Sequence, residues 1–261
     1  MTSLDRLSHI RRLEELTLNT SPAIHQSFYD GWVLRASGTD TRRANSATAL
    51  QPSILPLGEK IEFTEAWYRA HGQPAIFRLT EQFSPPELDT LLDQRGYSLE
   101  VKTQVMTCDL ANGIARGDYS LPPGARVVER SEAEGLDDVH RMKAVSPELH
   151  AQDVRRQALW KGQQVFLSLK TINGVASTGM ARIENGYLGI FNMRTASKAR
   201  NKGYATLLVA YLLAWGLEQG AKTAFLQVDQ ANEAAVSIYR KFGFSPQYVY
   251  WHRVQAESKT A

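Results

Sequence analysis

The sequence predicts an α/β (α+β) protein built from two tandem mixed β-sheet units, each flanked by helices. Three observations carry this. Across residues 187–254, strand-like and helix-like segments alternate in the order strand, helix, strand, helix, strand. The same order recurs between residues 31 and 107. Details echo at a spacing of about 147 residues: Trp67 to His71 before Gly72 against Trp215 to Gln219 before Gly220, and Leu91 to Tyr97 against Ile238 to Phe244. The expected domains are therefore 1–110 and 124–254, joined by a linker at 111–123 and followed by a polar tail at 255–261.

The first half opens with Leu4, Leu7, Ile10, Leu13 and Leu16 at helical spacing, and Asn19-Thr20-Ser21-Pro22 ends that helix. Gly31 to Ala36 and Ala44 to Ala49 read as strands, followed by a helix over Gly58 to Ala70. Ala75 to Leu79 is a strand, Pro86 to Gln94 a helix and Ser98 to Thr107 a strand. Between the first two strands, Asp40 to Ser46 reads as a solvated turn, with a second reading in which Arg42 and Arg43 meet an anion. Asn112, Gly113, Gly117, Pro122 and Pro123 mark the linker, since glycine loosens a chain and proline ends regular structure.

In the second half, Asn185-Gly186 is a two-residue hairpin signal, and the strand Tyr187 to Met193 follows it. Leu207, Leu208, Tyr211, Leu212 and Trp215 form a helix that Gly220 stops. Thr223 to Val228 is apolar and too short for a helix. Asp229 to Asn232 supplies turn and cap chemistry for the helix holding Ala235, Val236, Ile238 and Tyr239. Gln247 to Val254 is the expected closing strand.

Between strand and helix lies Arg200-Asn201-Lys202-Gly203-Tyr204-Ala205. The first amides of a helix have no internal partner and carry the positive end of its dipole. Gly203 and the small Ala205 let an anion approach the backbone, and Arg200 and Lys202 add cations. A diphosphate-bearing ligand suits such a cradle.

This hexamer resembles the R/Q-x-x-G-x-G/A signature of the GNAT superfamily of acetyl-coenzyme A-dependent N-acyltransferases. Leu226 to Phe244, L-Q-V-D-x-x-N-x-x-A-x-x-I-Y-x-K-F-G-F, is similar to the family's second signature, and both occur in the expected order within 124–254. The resemblance implies acetyl-coenzyme A as co-substrate and an amine as acceptor. It implies that the strand before the loop offers backbone groups to the pantetheine arm and thioester at Met193, Arg194 and Thr195. Arg200, Asn201, Lys202, Gly203, Tyr204, Ala205 and Thr206 would hold the pyrophosphate. Asn232 matches a residue that binds the pantetheine arm, or anchors its helix as a cap. Tyr239 matches the general acid for the leaving sulfur. The first half would then be a degenerate GNAT-like domain: Tyr239 falls on Leu92, Asn232 on Pro85, and the hexamer on Pro52 to Leu57, which has two prolines and no glycine.

The general base stays open among Glu184, His252 and His150, while Asn192 on the loop-proximal strand cannot act as one. Acceptor choice is expected in Val139 to Lys161, whose mixed charges at Glu148, His150, Asp153, Arg155 and Arg156 name no substrate. The alternative to an enzyme is a non-catalytic acyl-coenzyme A-binding regulatory module. A third reading has longer acyl chains as donors.

Composition narrows the classes further. A net charge of +3 is too small to indicate nucleic acid. No apolar run has membrane-spanning length, and Met1 to Arg6 lacks a signal peptide's apolar stretch, so a cytoplasmic protein, monomer or homodimer, is expected. A single cysteine, Cys108, rules out an internal disulfide and a cysteine metal cluster, and no metal is expected.

Overall fold

A computed structural model describes residues 3–110 and 119–256. The chain runs through α1 (Ser3–Asn19), β1 (His25–Tyr29), β2 (Trp32–Ala36), β3 (Ala47–Ala49), α2 (Leu57–Ala70), β4 (Ile76–Thr80), α3 (Leu88–Gln94), β5 (Ser98–Leu99) and β6 (Thr103–Asp109). It continues through β7 (Arg126–Arg130), α4 (Glu132–Lys143), α5 (Pro147–Gln157), β8 (Gln164–Thr171), β9 (Gly174–Glu184) and β10 (Tyr187–Thr195). α6 (Tyr204–Glu218), β11 (Thr223–Asp229), α7 (Glu233–Lys241) and β12 (Ser245–Val254) complete it. Most of the expected linker, residues 111–118, and the tail residues 257–261 lie outside the described residues.

The chain forms two compact units. One comprises residues 1–104, 151–160 and 248–261, the other 105–150 and 161–247. This division differs from a single cut at 111–123, and the hydrogen bonding shows why. The strand expected to close the second half, β12, pairs antiparallel with β4, placing Trp251 opposite Leu79 and His252 opposite Arg78. The single strand expected over 98–107 is two: β5 pairs with β12, whereas β6 lies beside β11.

In the first unit the strand order is β1-β2-β3-β4-β12. β1 was not expected. It is joined to β2 through Asp30-Gly31, both at positive φ (40° and 80°), which is the twist-compatible hairpin turn that Asp-Gly favours. One face of this sheet, with Trp32, Leu34, Phe77 and Leu79, packs with Ile61, Tyr68, Leu88 and Leu92 of α2 and α3 into an apolar core. The other face buries charge. Glu14 of α1 accepts from both terminal nitrogens of Arg78 (2.7 Å to Nη2), Tyr248 donates to the same carboxylate, and the guanidinium lies 3.7 Å over the Tyr250 ring.

In the second unit the strand order is β6-β11-β10-β9-β8-β7. The Asn185-Gly186 hairpin forms as expected, with φ of 48° and 79°. Val165, Leu167, Leu188, Ile190, Leu208, Leu212, Leu226 and Phe242 form its core. α4 opens with a capping box, Ser131 accepting from the Glu134 amide while the Glu134 carboxylate accepts from Ser131 N. Among the described residues no helix is long and apolar enough to cross a membrane.

Candidate active site

The site starts with a strand that leaves its neighbour. β10 runs parallel to β11 only from Tyr187 to Ile190, where Ile190 faces Leu226. β11 goes on to Asp229 and β10 to Thr195, so past that pair the two strands are no longer bonded to each other. On the other edge, the β10–β9 register shifts between Phe191 and Arg194. The cause is Asn192, held at φ +54°, a conformation asparagine tolerates better than other side chains. Its Nδ2 donates to Met180 Sδ at 3.3 Å. The bulge re-aims residues 193–195 and exposes their backbone on the β11 side.

The loop follows at once. Ser197–Ala199 makes one turn of 3-10 helix, then Asn201 and Gly203 take positive φ (60° and 77°) and turn the chain into α6. The Gly203 carbonyl accepts from Leu207 N at 3.0 Å. The amides of Tyr204, Ala205 and Thr206 are therefore the helix's unpaired first-turn donors. A Cβ placed on Gly203 would meet nothing within 4 Å, so the space in front of the loop is open.

α7 forms the facing wall. Asn232 is its N-cap, Oδ1 accepting from Ala235 N at 3.1 Å, which is the anchoring half of its expected dual role. Two turns on, Tyr239 is 8% exposed, with its ring edge-on to Phe244. Burial pushes its hydroxyl up to about 12, against a smaller opposing pull from the Arg194 charge. The phenol thus stays protonated at neutral pH, and among the described residues it has no hydrogen-bond partner.

One cleft of about 630 Å³ joins these pieces. Met193, Arg194, Thr195, Arg200, Asn201, Gly203, Tyr204, Ala205, Thr206, Asn232 and Tyr239 all line it. Lys202 alone of the expected residues does not: it is exposed beside the loop. Open backbone donors, a small-residue approach and Arg200 at one end suit a diphosphate. The splayed strand and Tyr239 at the other suit an extended arm ending in a reactive carbonyl.

None of the base candidates lines the cleft. Glu184 lies opposite Tyr187 at the hairpin end of β9, about 20 Å along the strand from Met193 at ~3.3 Å per residue. His150 pairs through Nε2 with Asp137 at 3.2 Å and packs its ring on His140. His252 is buried in β12, where desolvation and then the charges of Arg78, Arg42 and Arg43 hold its pKa well below the usual imidazole value. Arg42 is held by Glu100 (2.6 Å and 3.0 Å). Cys108 is buried, its thiol pushed up to about 12 by desolvation, and takes no part in the cleft. Among the described residues no group of three or more potential ligands could hold a metal ion.

Sequence reasoning missed the bulge at Asn192 and the position of Arg194 near Tyr239. The first had a faint signal, an asparagine inside an apolar strand. The second had none, because it depends on the side to which the bulge turns residue 194.

Comparison with known proteins gives concordant results. The family model described as "Probable histone acetyltransferase Rv0428c C-terminal" matches residues 7–253. The uncharacterized N-acetyltransferase YobR of Bacillus subtilis (strain 168) is 27% identical over 249 residues, 95% of this chain and 100% of that protein. A GCN5-related N-acetyltransferase from Kribbella flavida superposes with a TM-score of 0.70 at 16% identity, covering 97% of each chain. A tandem GNAT protein from the clavulanic acid biosynthesis pathway gives 0.57 at 13% identity, over 82% of this chain and 76% of that one.

Proposed function

This chain belongs to the GNAT acetyltransferase family described as Rv0428c C-terminal, and from that premise we propose that it moves the acetyl group of acetyl-coenzyme A directly onto a primary amine. Membership makes it an acyltransferase. The donor, the acceptor and the residue roles are our reading, and the observation that carries it is the cleft itself. A loop of unpaired amides, a strand splayed past Ile190 and a protonated buried phenol meet there in the order that pyrophosphate, pantetheine arm and thioester sulfur require.

The step balances without a covalent enzyme intermediate. A neutral amine attacks the thioester carbon, forming the N–C bond. The C–S bond breaks and its electron pair stays on sulfur. The amine nitrogen loses one proton to water, and Tyr239 gives one to the sulfur and regains it from solvent. The exposed amides of residues 193–195 stabilise the carbonyl oxygen as charge develops. Holding both reactants in one cleft removes much of the entropic barrier.

The test is Tyr239→Phe, followed by thiol release from acetyl-coenzyme A with an amine panel and mass spectrometry of the product. Loss of one proton donor should lower kcat by about 10²–10⁴-fold and leave the affinity for coenzyme A within a few-fold. Unchanged kcat with a good acceptor would remove Tyr239 from the acid role.

We read residues 1–110 as the degenerate half, inactive in acyl transfer. What supports this is the loop that sequence spacing aligns with Arg200–Ala205. There, Ile54 N and Leu55 N both donate to the Asp30 carboxylate (3.0–3.1 Å), and Lys60 Nζ lies 3.0 Å from it. The place of an external anion is taken by one of the chain's own. A cytoplasmic location and a monomeric or dimeric state complete the proposal.

A further inference from the structure

A second cavity, of about 520 Å³, adjoins the same strand end, lined by Asp138, Arg141 and Lys143 of α4 and by Arg194, Thr195 and Arg200. It opens on the opposite face of the sheet from α6. A Cβ on Gly179 would lie 2.4 Å from Met193 Sδ and 3.2 Å from Leu212, so the Met193 side chain points toward α6. Thr178, next in the strand, faces the other way and is the cross-strand partner of Arg194. Ser168 Oγ ties that face to α4, donating to Asp138 Oδ2 at 2.7 Å and lying 3.5 Å from Thr178 Oγ1. The cofactor cleft and this cavity therefore reach the end of β10 from opposite sides, sharing Arg194, Thr195 and Arg200. Two substrates that must meet at one carbonyl need that arrangement.

The lining is strongly cationic. The sole carboxylate in it among the described residues, Asp138, is already engaged by Arg130 Nε at 3.1 Å and by Ser168. Arg141 reaches Asp138 only at 3.5 Å, from a side chain 72% exposed. Arg194 and Arg200 have no carboxylate partner among the described residues. Two of the cations around this cavity, Arg194 and Arg200, thus carry charge that no carboxylate among the described residues offsets.

Building on the acetyl-transfer reading above, we propose that this cavity is the acceptor pocket and selects a primary amine that also carries an anionic group, a carboxylate or a phosphate. Arg141 and Arg194 hold the anionic end by charge-assisted hydrogen bonds, and the amine end lies toward the thioester at β10. A lysine-rich tail would bring like charge to the same wall and bind poorly.

Matched acceptors test this on the full chain: β-alanine against β-alaninamide for a carboxylate, O-phosphoethanolamine against ethanolamine for a phosphate, and a lysine-rich peptide as the cationic arm. The anionic member of at least one pair should show kcat/KM about tenfold to a hundredfold above its neutral partner, the span a charge-assisted bond supplies. Which pair responds separates carboxylate from phosphate. Arg141→Glu should raise KM for the anionic acceptor by at least about tenfold more than for its neutral partner, and leave coenzyme A affinity by calorimetry within twofold. Equal kcat/KM within both pairs, or preference for the peptide, overturns the proposal while leaving acetyl transfer intact. Loss of coenzyme A affinity in Arg141→Glu overturns it too, by making the cavity part of the cofactor's phosphate site. Failure of every amine, with no thiol released, would sink the acetyl-transfer reading, and this inference with it.

Discussion

Two glycines at opposite ends of α6 make a matched pair for testing whether the loop amides hold a phosphate. Gly203 at the helix start has φ +77° and Gly220 just past its end has φ +84°, and a Cβ at either meets nothing within 4 Å. Alanine at each position therefore introduces backbone strain without a clash, about 1–2 kcal/mol for an L-residue in the left-handed region. For a chain of this size that corresponds to a fall in Tm of about 2–8 °C, the same for both variants. Their effects on ligand must differ. Gly203 lies where a phosphate would approach the amides of Tyr204 to Thr206, and a methyl group there displaces it from at least one charge-assisted bond. That bond is worth about 1.5–3 kcal/mol, so Gly203→Ala should weaken coenzyme A about 10- to 150-fold in calorimetry. Gly220→Ala should leave affinity unchanged. Equal coenzyme A affinity in the two variants, with equal losses of Tm, would show that the loop does not carry the pyrophosphate.

Arg200→Glu should weaken coenzyme A binding by at least about tenfold, with kcat at saturation little changed; unchanged affinity counts against the phosphate assignment. Glu14→Gln strands the buried Arg78 charge and should lower stability to urea by about 3–5 kcal/mol, whereas Glu15→Gln, in the half-exposed pair with Arg12, should cost under about 1 kcal/mol. Similar losses in the two would refute a buried ion pair. His252 is held neutral by burial, so its folded pKa lies below the unfolded value of about 6.5. Above that pH neither state binds the proton and stability is unaffected. Below it the unfolded chain takes up a proton the fold refuses, so stability falls by up to about 1.4 kcal/mol per pH unit from this group. His252→Asn should flatten the decline between pH 6.5 and 5.5 in urea titrations, and an unchanged slope would assign it elsewhere.

The elements of the second unit were legible because local rules fix them. Asn185-Gly186 sets a hairpin, Gly203 and Gly220 bracket a helix, and Asn232 caps the next. Asp30-Gly31 carried the same hairpin signal, and reading it as a hairpin would have recovered β1. What the sequence could not show was partnership between distant strands. β12 has the alternation of any half-buried strand, and nothing local says that its neighbour is β4, more than 160 residues earlier. The break between β5 and β6 follows from the same long-range choice. The site shows a parallel split: the loop, cap and tyrosine sit in short motifs, whereas the cationic cavity joins residues 138–143 to 194–200 through tertiary packing alone.

The contrast between the two loops carries the functional assignment further than either alone. Both precede a helix, but the amides differ in place: Ile54 and Leu55 lie before Pro56, the N-cap of α2, whereas Tyr204 to Thr206 form the first turn of α6. At residues 54–55 the anion is the Asp30 carboxylate, fixed at the turn of the first hairpin and backed by the buried Lys60. That solution closes the space and needs no ligand. At residues 203–206 no carboxylate reaches the helix start among the described residues, the glycine keeps its approach clear, and Arg200 stands beside it. Open loop amides are satisfied from within in one case and left for an incoming group in the other. A phosphate-bearing ligand satisfies the second loop as Asp30 satisfies the first, which is why one acetyl-coenzyme A per chain is the stoichiometry this reading requires.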